Sequence, residues 1–470
     1  MPLVVAILAS FIAFLDGSIV NVALASIEDE FGGGLAGQQW IVDAYLLALG
    51  ALILLAGAIS DRVGRVRSLR IGLVVFGFAS LICAVAPGVG WLIAARFLQG
   101  AGGALLVPSS LALINSTYVG PVRSKAIGSW TGWTSVAFVL GPLVGGVLVD
   151  YIGWRWVFAV NLLPVVVTLT LMRALRDPAP SVPGRLDIIG AALVALGLGG
   201  IVFALIEQPR LGWASPLLWS TLIVGAALIV AFLVRQGRVP NPLLPLSLLR
   251  ARNFAAGNAT TAAVYAAVGL GIWIITLFLL EVIQLPATIA GLATLPVAVA
   301  SILFARLFGA LSGRYGPRFF MAIGPIIAAS GFACMLTASV QFNFWTQLLP
   351  GIVLYGFGLT ITVAPLTAAV LGAVPSAQSG IGSAVNNAIA RVAGLIAVAI
   401  AGPIIGNQLD IDGFHRLVLT TAGLLAVGGI VAAVGIRNTS HRAVEASQAA
   451  QCSDRPVPGA ALVATGDTNP

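Results

Sequence analysis

Long apolar runs, separated by short polar segments, follow one another along almost the whole chain. Each run is close to the roughly twenty residues that a helix needs to cross the hydrocarbon of a bilayer, at about 1.5 Å per residue. We predict about fourteen transmembrane helices from these runs. They lie near residues 3–27, 39–60, 70–87, 91–113, 127–149, 155–173, 187–206, 216–234, 256–280, 288–309, 319–338, 345–370, 380–403 and 416–436.

The composition of the chain also indicates a membrane protein. Of the 470 residues, 59% are hydrophobic and only 9% are charged, whereas about a quarter of the residues of a soluble domain are charged. The net charge of +8 does not indicate nucleic-acid binding, because only Lys125 joins the arginines and no basic cluster is interleaved with aromatic residues. We therefore predict an all-α polytopic membrane protein that does not bind nucleic acid.

Catalytic and metal-binding patterns are missing from the sequence. Cys83 and Cys334 fall in two predicted spans and Cys452 in the tail, without pairing or metal-ligand spacing. The two histidines, His415 and His441, lie in a loop and in the tail, and no nucleophile is followed by a base and an orienting acid. We expect no enzyme activity, no metal and no cofactor.

The arginines predict the orientation. With a cytoplasmic N-terminus, most Lys and Arg residues fall in loops on the inner side, beginning with Arg62 and Arg65, while Glu28, Asp29 and Glu30 face out. This is the bias of the positive-inside rule, and it places both termini in the cytoplasm of a cell with the protein in its inner (plasma) membrane. A cleaved signal peptide is the alternative for the first span, but no basic residue precedes that apolar run.

Two proline-containing connections, near residues 173–187 and 235–253, divide the spans into groups of six, two and six. We predict a first bundle over 1–175, two inserted helices over 176–240, a second bundle over 241–436 and a disordered cytoplasmic tail over 437–470. The stretch Gly57–Arg67 is echoed by Gly309–Arg318 at the corresponding loop of the second group. Weak internal repetition of this kind is typical of transporters built from two related halves.

Ionisable residues inside predicted spans are the first candidates for function, because burying them is costly. Asp16 lies about 20 Å along the first predicted span, too deep for its short side chain to reach water; a structural cap at a helix break near Gly17 is the alternative. Asp43 and Arg96 lie near the outer ends of the second and fourth spans, and we expect them to be able to pair across the bundle. Asp43 alternatively remains at the water interface. Gln99 follows Arg96 on the same helical face.

The thirteenth span offers a second polar group: Asn386 and Asn387 come one turn before Arg391. Glu207 and Glu281 lie at predicted outer helix ends, where we expect solvated carboxylates. Glycines that permit close helix packing flank the charges of the first loop, and similar small residues surround a kinking proline in the fifth span. The loop set is Gly57, Asp61, Arg62, Gly64 and Arg65, and the fifth-span set is Gly141, Pro142, Gly145 and Gly146.

Together these residues resemble the major facilitator superfamily, specifically its fourteen-span drug:proton antiporter family. The loop set is similar to the superfamily's loop motif, Arg96, Gln99 and Gly100 to its fourth-span motif, and the fifth-span set to the motif associated with antiporters. The first-span segment from Leu15 through Asp16 and Asn21 to Leu24 is similar to the signature of the fourteen-span family, as are Trp154-Arg155-Trp156 and the run from Asn386 to Arg391. Gly313 departs from the pattern, since it stands where the second copy of the loop motif has Asp.

The resemblance implies two six-helix bundles with two inserted helices, and proton-driven export of small amphipathic or cationic compounds. The expected partners are a small-molecule substrate, protons and the lipid bilayer, with the protein as a monomer. The resemblance also implies that Asp61 meets the N-terminus of the thirteenth span near Gly380 in the outward-open state.

Our mechanistic hypothesis is that Asp16 or Asp43 binds a proton from outside and so changes its coupling to Arg96 and the substrate. Three alternatives remain: a dedicated exporter of one metabolite, antibiotic or lipid precursor; a proton-linked importer; and a non-transporting membrane receptor or scaffold. The last predicts a sizeable soluble domain or long loops, which the sequence does not contain.

Overall fold

The computed structural model describes residues 1–118, 120–175, 186–240, 242–339, 341–374, 379–406 and 409–438. All regular structure in these segments is helical. Thirteen of their helical segments are long and apolar enough to cross a membrane, and the 32-residue helix Gly120–Tyr151 lies at the place of the fifth predicted span. The predicted all-α class is confirmed. The predicted tail beyond Asn438 and most of the first connection lie outside the described residues.

The first span of the first bundle is divided into two helices. The helices of the whole first bundle are α1 (Pro2–Ile19), α2 (Leu24–Phe31), α3 (Gly34–Val63), α4 (Arg65–Ala84), α5 (Val89–Thr117), α6 (Gly120–Tyr151), α7 (Trp156–Ala159) and α8 (Leu162–Leu171). A 3-10 turn, Val20–Ala23, joins α1 to α2. The alternative for Asp16, a structural cap at a helix break near Gly17, is wrong, because α1 continues to Ile19 and Asp16 lies within its regular part.

The inserted pair and the second bundle complete the fold. The remaining helices are α9 (Ile188–Leu211), α10 (Pro216–Gln236), α11 (Arg252–Leu277), α12 (Ala287–Ala293), α13 (Leu295–Tyr315), α14 (Pro317–Cys334), α15 (Leu349–Gly372), α16 (Ser379–Ala399), α17 (Ala401–Ile405) and α18 (Ile411–Gly435). Short π-helical turns, Phe278–Val282 and Phe344–Leu348, follow α11 and precede α15.

The internal repeat predicted from the two loop stretches has a structural counterpart. Gly64 separates α3 from α4 with φ +107°, and Gly316 separates α13 from α14 with φ +86°. Both values lie in the region that favours glycine, so the same one-residue turn is made at the same place in each half. A side chain at either position would strain the turn.

We name the two ends of the molecule by their charges. The arginine-rich end carries Arg62, Arg65, Arg67 and Arg70, and the acidic end carries Glu28, Asp29 and Glu30. In the described part of the chain, the hydrogen bonds that join the two bundles lie towards the acidic end. They are Gln38 to Glu281, Gln39 to the Val398 and Ala399 carbonyls, and the backbone N–H groups of Ala287 and Thr288 to Asp150. The structure is therefore closed at its acidic end.

The inserted pair is held together at the arginine-rich end by one carboxylate. Asp187 caps α9 by accepting a hydrogen bond from the Gly190 N–H at 2.9 Å. The same side chain, 4% exposed, accepts from Arg235 Nε at 2.8 Å and from Gln236 Nε2 at 2.9 Å on α10. Burial raises the pKa of Asp187, but the hydrogen bonds from Gly190, Arg235 and Gln236 outweigh it and leave the pKa below its ordinary value.

Asp187→Asn keeps an oxygen that can cap α9, but it is expected to lower the stability of the protein by about 1–2 kcal/mol at neutral pH through loss of the charge that accepts from Arg235 and Gln236. Because the pKa of Asp187 is lowered on folding, its stabilisation is present above the unfolded-state pKa and is lost as pH falls through the folded-state value. The difference between wild type and variant should therefore begin to shrink below about pH 4 and disappear only at a pH below the lowered pKa of folded Asp187. Thermal unfolding in detergent at neutral and acidic pH measures the stability difference between wild type and Asp187→Asn. An equal difference at both pH values would contradict stabilisation by ionised Asp187.

Candidate functional site

The centre of the first bundle contains a buried ion pair between α1 and α5. Asp16 and Arg96 are 0% and 1% exposed, and Arg96 Nη1 donates to Asp16 Oδ2. Arg96 also donates through Nε to the Ile41 carbonyl at 3.1 Å and through Nη1 to Gln99 Oε1 at 2.6 Å. A buried guanidinium is tolerated only when it is paired and hydrogen-bonded in this way.

Two amides complete the environment of the carboxylate. Gln99 Nε2 and Asn161 Nδ2 donate to Asp16 Oδ1 at 2.8 and 2.7 Å, and Gln99 Nε2 also lies 2.8 Å from Ser80 Oγ. The network therefore joins α1, α4, α5 and the start of α8. Because each member is buried, removal of any one leaves the others with unsatisfied polar atoms.

Aromatic rings and a glycine hold Arg96 in place. Its Cζ lies 4.4 Å from the centre of the Tyr45 ring and 5.8 Å from that of Phe158. Tyr45 is fixed by a 2.9 Å hydrogen bond from its hydroxyl to the Ala13 carbonyl. A side chain at Gly100 would overlap the Tyr45 backbone, so the fourth-span motif needs glycine there to let α3 approach α5.

The expected pairing of Asp43 with Arg96 is wrong. Arg96 contacts α3 through Ile41 and Tyr45, and Asp43 lies two residues from either, about 200° around the helix. Asp43 is 0% exposed, and neither carboxylate oxygen has a hydrogen-bond partner among the described residues. The alternative, an interfacial Asp43 in contact with water, is wrong as well.

The second polar group lies apart from this network. Asn386 Nδ2 donates to Thr261 Oγ1 at 2.7 Å and to Asn258 Oδ1 at 3.1 Å, both on α11. Arg391 stacks over Phe14 of α1, with its Cζ 4.8 Å from the ring centre, and so connects the two bundles. Asn387 is half-buried on α16.

Asn21 is nearly buried and lies in the 3-10 turn between α1 and α2. It shares the first span with Asp16, but the turn places it beyond the regular helix that carries the carboxylate. Its predicted role in the cavity stays a prediction.

The loop motif is arranged around the turn between α3 and α4. Asp61 lies in the last turn of α3 and is 55% exposed, with Arg65 Nη2 at 4.0 Å. Arg62 is exposed beside it, and Gly57 faces α5, where a Cβ would lie 3.9 Å from Pro108. At this separation and exposure the Asp61–Arg65 pair contributes little to stability, so Asp61 is available for other contacts.

The fifth-span motif has two packing faces. A Cβ at Gly141 would overlap Ser18, and one at Gly145 would lie 2.6 Å from Val22 Cγ2, so these two glycines bring α6 against α1 and the turn that follows it. Gly146 instead faces the other bundle, where a Cβ would lie 2.7 Å from the carbonyl carbon of Ala287. Pro142 is buried inside α6, at the level where its carbonyl meets Gly291 of α12.

Residues at the acidic end form contacts that the sequence did not reveal. Asp150, at the end of α6, accepts hydrogen bonds from the backbone of α12, from Ala287 at 3.0 Å and from Thr288 at 2.7 Å. The expectation that Glu207 and Glu281 are simply solvated is wrong. Glu207 accepts from Trp40 Nε1 at 3.1 Å and Glu281 accepts from Gln38, because the neighbouring helices cover both helix ends.

Other members of the central network were also missed. Asn161 is the lone amide in the apolar run of the sixth predicted span, which is a usable signal. Ser80 and Tyr45 carry no comparable signal, because Ser and Tyr are common in membrane helices and acquire their roles only from the way neighbouring helices are rotated.

Two helical bundles with the same turn at the corresponding place in each half, and with a buried ion pair inside the first bundle, have the architecture of a secondary transporter built from two related halves. A family model described as Major Facilitator Superfamily matches residues 6–398 and 259–460. The chain belongs to this superfamily, whose members are transporters.

Similar proteins include several whose names refer to drug resistance. The chain is 33% identical over 408 residues to the methylenomycin A resistance protein of Bacillus subtilis, covering 86% of this chain and 87% of the relative. It is 33% identical over 415 residues to the multidrug resistance protein Stp of Mycobacterium tuberculosis, covering 86% of this chain and 75% of the relative. It is 34% identical over 405 residues to the puromycin resistance protein of Streptomyces alboniger, covering 85% and 80%.

Solved structures support the fold. A peptide transporter POT in complex with sulfate matches with a TM-score of 0.67 at 18% identity, covering 92% of this chain and 93% of that chain. An inward-facing bacterial homologue of the human lysosomal transporter Spinster matches with a TM-score of 0.64 at 16% identity, covering 92% and 96%. These likenesses concern the fold alone.

Proposed function

We propose that the protein is a proton-coupled secondary transporter that exports small amphipathic or cationic compounds by alternating access. The observation that carries the proposal is the buried Asp16–Arg96 pair, a fully enclosed carboxylate in a membrane protein of the transporter superfamily. Such a group is the usual means of carrying a proton across a bilayer. The resistance proteins among the relatives support export as the direction.

The orientation follows the positive-inside rule. The arginine-rich end lies in the cytoplasm together with both termini, and the acidic end faces the exterior of the cell membrane. The protein functions as a monomer built from the bundles 1–175 and 241–436, with 176–240 between them. Closure of the acidic end then makes the present conformation one that is closed to the outside.

Proton and substrate compete for the central network in this mechanism. A proton on Asp16 removes the charge that holds Arg96, so the hydrogen bonds around Gln99 and Asn161 rearrange and the bundles rock. Asn21 and the group of Asn386, Asn387 and Arg391 contribute polar contacts to the substrate cavity between the halves.

The loop motif acts when the acidic end opens. In that state Asp61, which is exposed here, meets the N-terminus of α16 near Gly380 and closes the arginine-rich end. Gly313 cannot form an equivalent contact in the second half, so the closure is one-sided.

A dedicated antibiotic exporter is the second candidate function. Two of the relatives are named for a single compound each, methylenomycin A and puromycin. A chemically mixed substrate panel separates the two functions, because a dedicated exporter accepts one member of the panel.

Proton release from inside-out vesicles tests the proposal. Ethidium, puromycin and methylenomycin A are added to vesicles with an acidic interior, and external pH is followed with a pH-sensitive dye. We expect wild type to release protons on addition of at least one compound, and Asp16→Asn to release at least about tenfold fewer per substrate, a loss of about 1.4 kcal/mol in coupling.

The matched control is Asp29→Asn, which removes an exposed carboxylate at the acidic end and should leave coupling unchanged. Unaltered proton release in both Asp16→Asn and Asp43→Asn would overturn the proposed coupling. Transport without any proton movement in wild type would overturn antiport itself.

A further inference from the structure

Arg391 of α16 is a cation within a membrane-spanning helix that the central network does not use. In the described part of the chain, none of its nitrogen atoms forms a hydrogen bond, and no carboxylate lies within 4.0 Å of them. Its one described contact of this kind is with the ring of Phe14. A cation–π contact does not supply acceptors for the five N–H donors of a guanidinium, so these donors remain available.

The position of Arg391 is just inside the closed acidic end. Gln39 donates to the Val398 and Ala399 carbonyls at that end. Arg391 precedes Val398 on α16 by two turns, about 10 Å nearer the arginine-rich end. Its side chain is half-buried and reaches Phe14 of the other bundle. The exposed part of the guanidinium therefore faces the space between the bundles, on the inner side of the closure.

Two neighbouring polar side chains also lack partners. Asn387 lies one turn before Arg391 on the same face of α16. Tyr265 of α11 packs against α16 one turn beyond Arg391, where a Cβ at Gly394 would lie 3.7 Å from the Tyr265 carbonyl oxygen, and its phenol is close enough to interact electrostatically with the guanidinium. Both side chains are half-buried, and neither forms a side-chain hydrogen bond in the described structure. We name Tyr265, Asn387 and Arg391 the Arg391 cluster.

The charge of the Arg391 cluster is not balanced by a carboxylate of the described chain. Asp16 is enclosed in the first bundle and engaged with Arg96. Asp43 is 0% exposed and forms no ion pair. A cation that lies in a low-dielectric region without a counter-charge attracts an anion and repels a second cation more strongly than it would in water. The space beside Arg391 therefore favours an anionic group.

We propose that the Arg391 cluster binds the acidic head of an amphipathic substrate, a carboxylate or a group of the same charge and shape. One guanidinium donates two parallel hydrogen bonds to a carboxylate, and the Tyr265 hydroxyl and the Asn387 amide can donate to its remaining lone pairs. Phe14 provides an aromatic surface for the apolar body of the same molecule. The inference rests on the proposed function and narrows its substrates to amphipathic acids, because a cationic head is repelled at this position.

Equilibrium binding of three probes that share one ring system tests this assignment. Naphthoate, naphthamide and naphthylmethylammonium have a negative, a neutral and a positive head on the same aromatic body. Each is equilibrated with the full chain in phosphatidylcholine nanodiscs, and partition into empty nanodiscs is subtracted. We expect wild type to bind naphthoate at least about tenfold more tightly than either of the other probes.

Variants of Arg391 assign the preference to this side chain. Arg391→Gln should reduce the preference for naphthoate over naphthamide to within about twofold, because glutamine can form hydrogen bonds but has no charge. Arg391→Lys should keep an intermediate preference, since it retains the charge without the planar fork, and it guards against a folding defect. Arg306→Gln, at an exposed position of α13, is the matched control and should bind all three probes as wild type does.

Four results would overturn the proposal. They are the absence of naphthoate binding, equal binding of the three probes by wild type, a preference that persists in Arg391→Gln, and complete loss of the preference when gluconate is replaced by chloride at constant ionic strength. The last would identify a site for small inorganic anions instead. Because binding is measured without a proton gradient, its failure leaves proton-coupled export standing, and failure of proton release leaves the binding result standing.

Discussion

An Arg96→Met variant should lose transport activity and about 3–5 kcal/mol of folding free energy, because it leaves the buried Asp16 carboxylate without its cation. Methionine keeps most of the side-chain length, so lost charge and lost hydrogen bonds dominate the effect. The Ile41 carbonyl and Gln99 Oε1 lose a donor as well. Thermal unfolding in detergent and uptake into vesicles measure the two losses separately.

The double variant Asp16→Asn/Arg96→Met is the informative comparison. Replacing both members of a buried pair by neutral residues is often close to neutral for stability, so the double variant should recover most of the free energy but no transport. Arg306→Met, at an exposed position of α13, is the control and should stay within about 0.5 kcal/mol of wild type. A double variant less stable than Arg96→Met alone would show that the pair is not the source of the loss.

Gly146→Val is expected to reduce transport at least about tenfold by preventing closure of the acidic end, which corresponds to about 1.4 kcal/mol. A side chain there would overlap the carbonyl group of Ala287, at the point where α6 meets the second bundle. With Cys83, Cys334 and Cys452 replaced by Ser, spin labels at Asp29→Cys and Gln341→Cys, exposed positions at the acidic ends of the two bundles, should be farther apart in Gly146→Val than in the protein with Gly146.

Gly132→Val on the same helix provides the matched control. A Cβ at Gly132 has nothing within 4 Å, so it changes helix propensity by the same amount without an obstruction. It should retain transport within about twofold. Equal losses in the two variants would show that the effect arises from α6 itself and not from its contact with α12.

The helices and most of the chemically unusual residues are predictable from the sequence. Span lengths follow from the thickness of the bilayer, and the burial of Asp16 and Arg96 follows from their depth within apolar runs. Which residues pair does not follow from depth. Asp43 and Arg96 lie at similar predicted levels, but the rotation of α3 points Asp43 away from α5, and that rotation depends on packing with α16 and α9.

The fifth-span motif is a second case in which the sequence does not show which helices are neighbours. Small residues predict close approach but not the identity of the neighbour. Gly145 and Gly146 are consecutive, yet one faces α1 and the other faces the second bundle. Asp150 and Gln38 were missed because a polar residue at a helix end is usually solvated, and only the assembled halves show what covers it.

Because of the inserted pair, the two flanks of the transporter differ in how much of their helix surface is exposed to lipid. Trp40 of α3 donates to Glu207 of α9, and Leu47 of α3, Leu395 of α16 and Val202 of α9 share one apolar cluster. A helix that rests on both bundles screens the α3–α16 side from the acyl chains. On the opposite flank Trp133 of α6 and Leu303 of α13 are 53% and 63% exposed, so these two helices face the acyl chains directly.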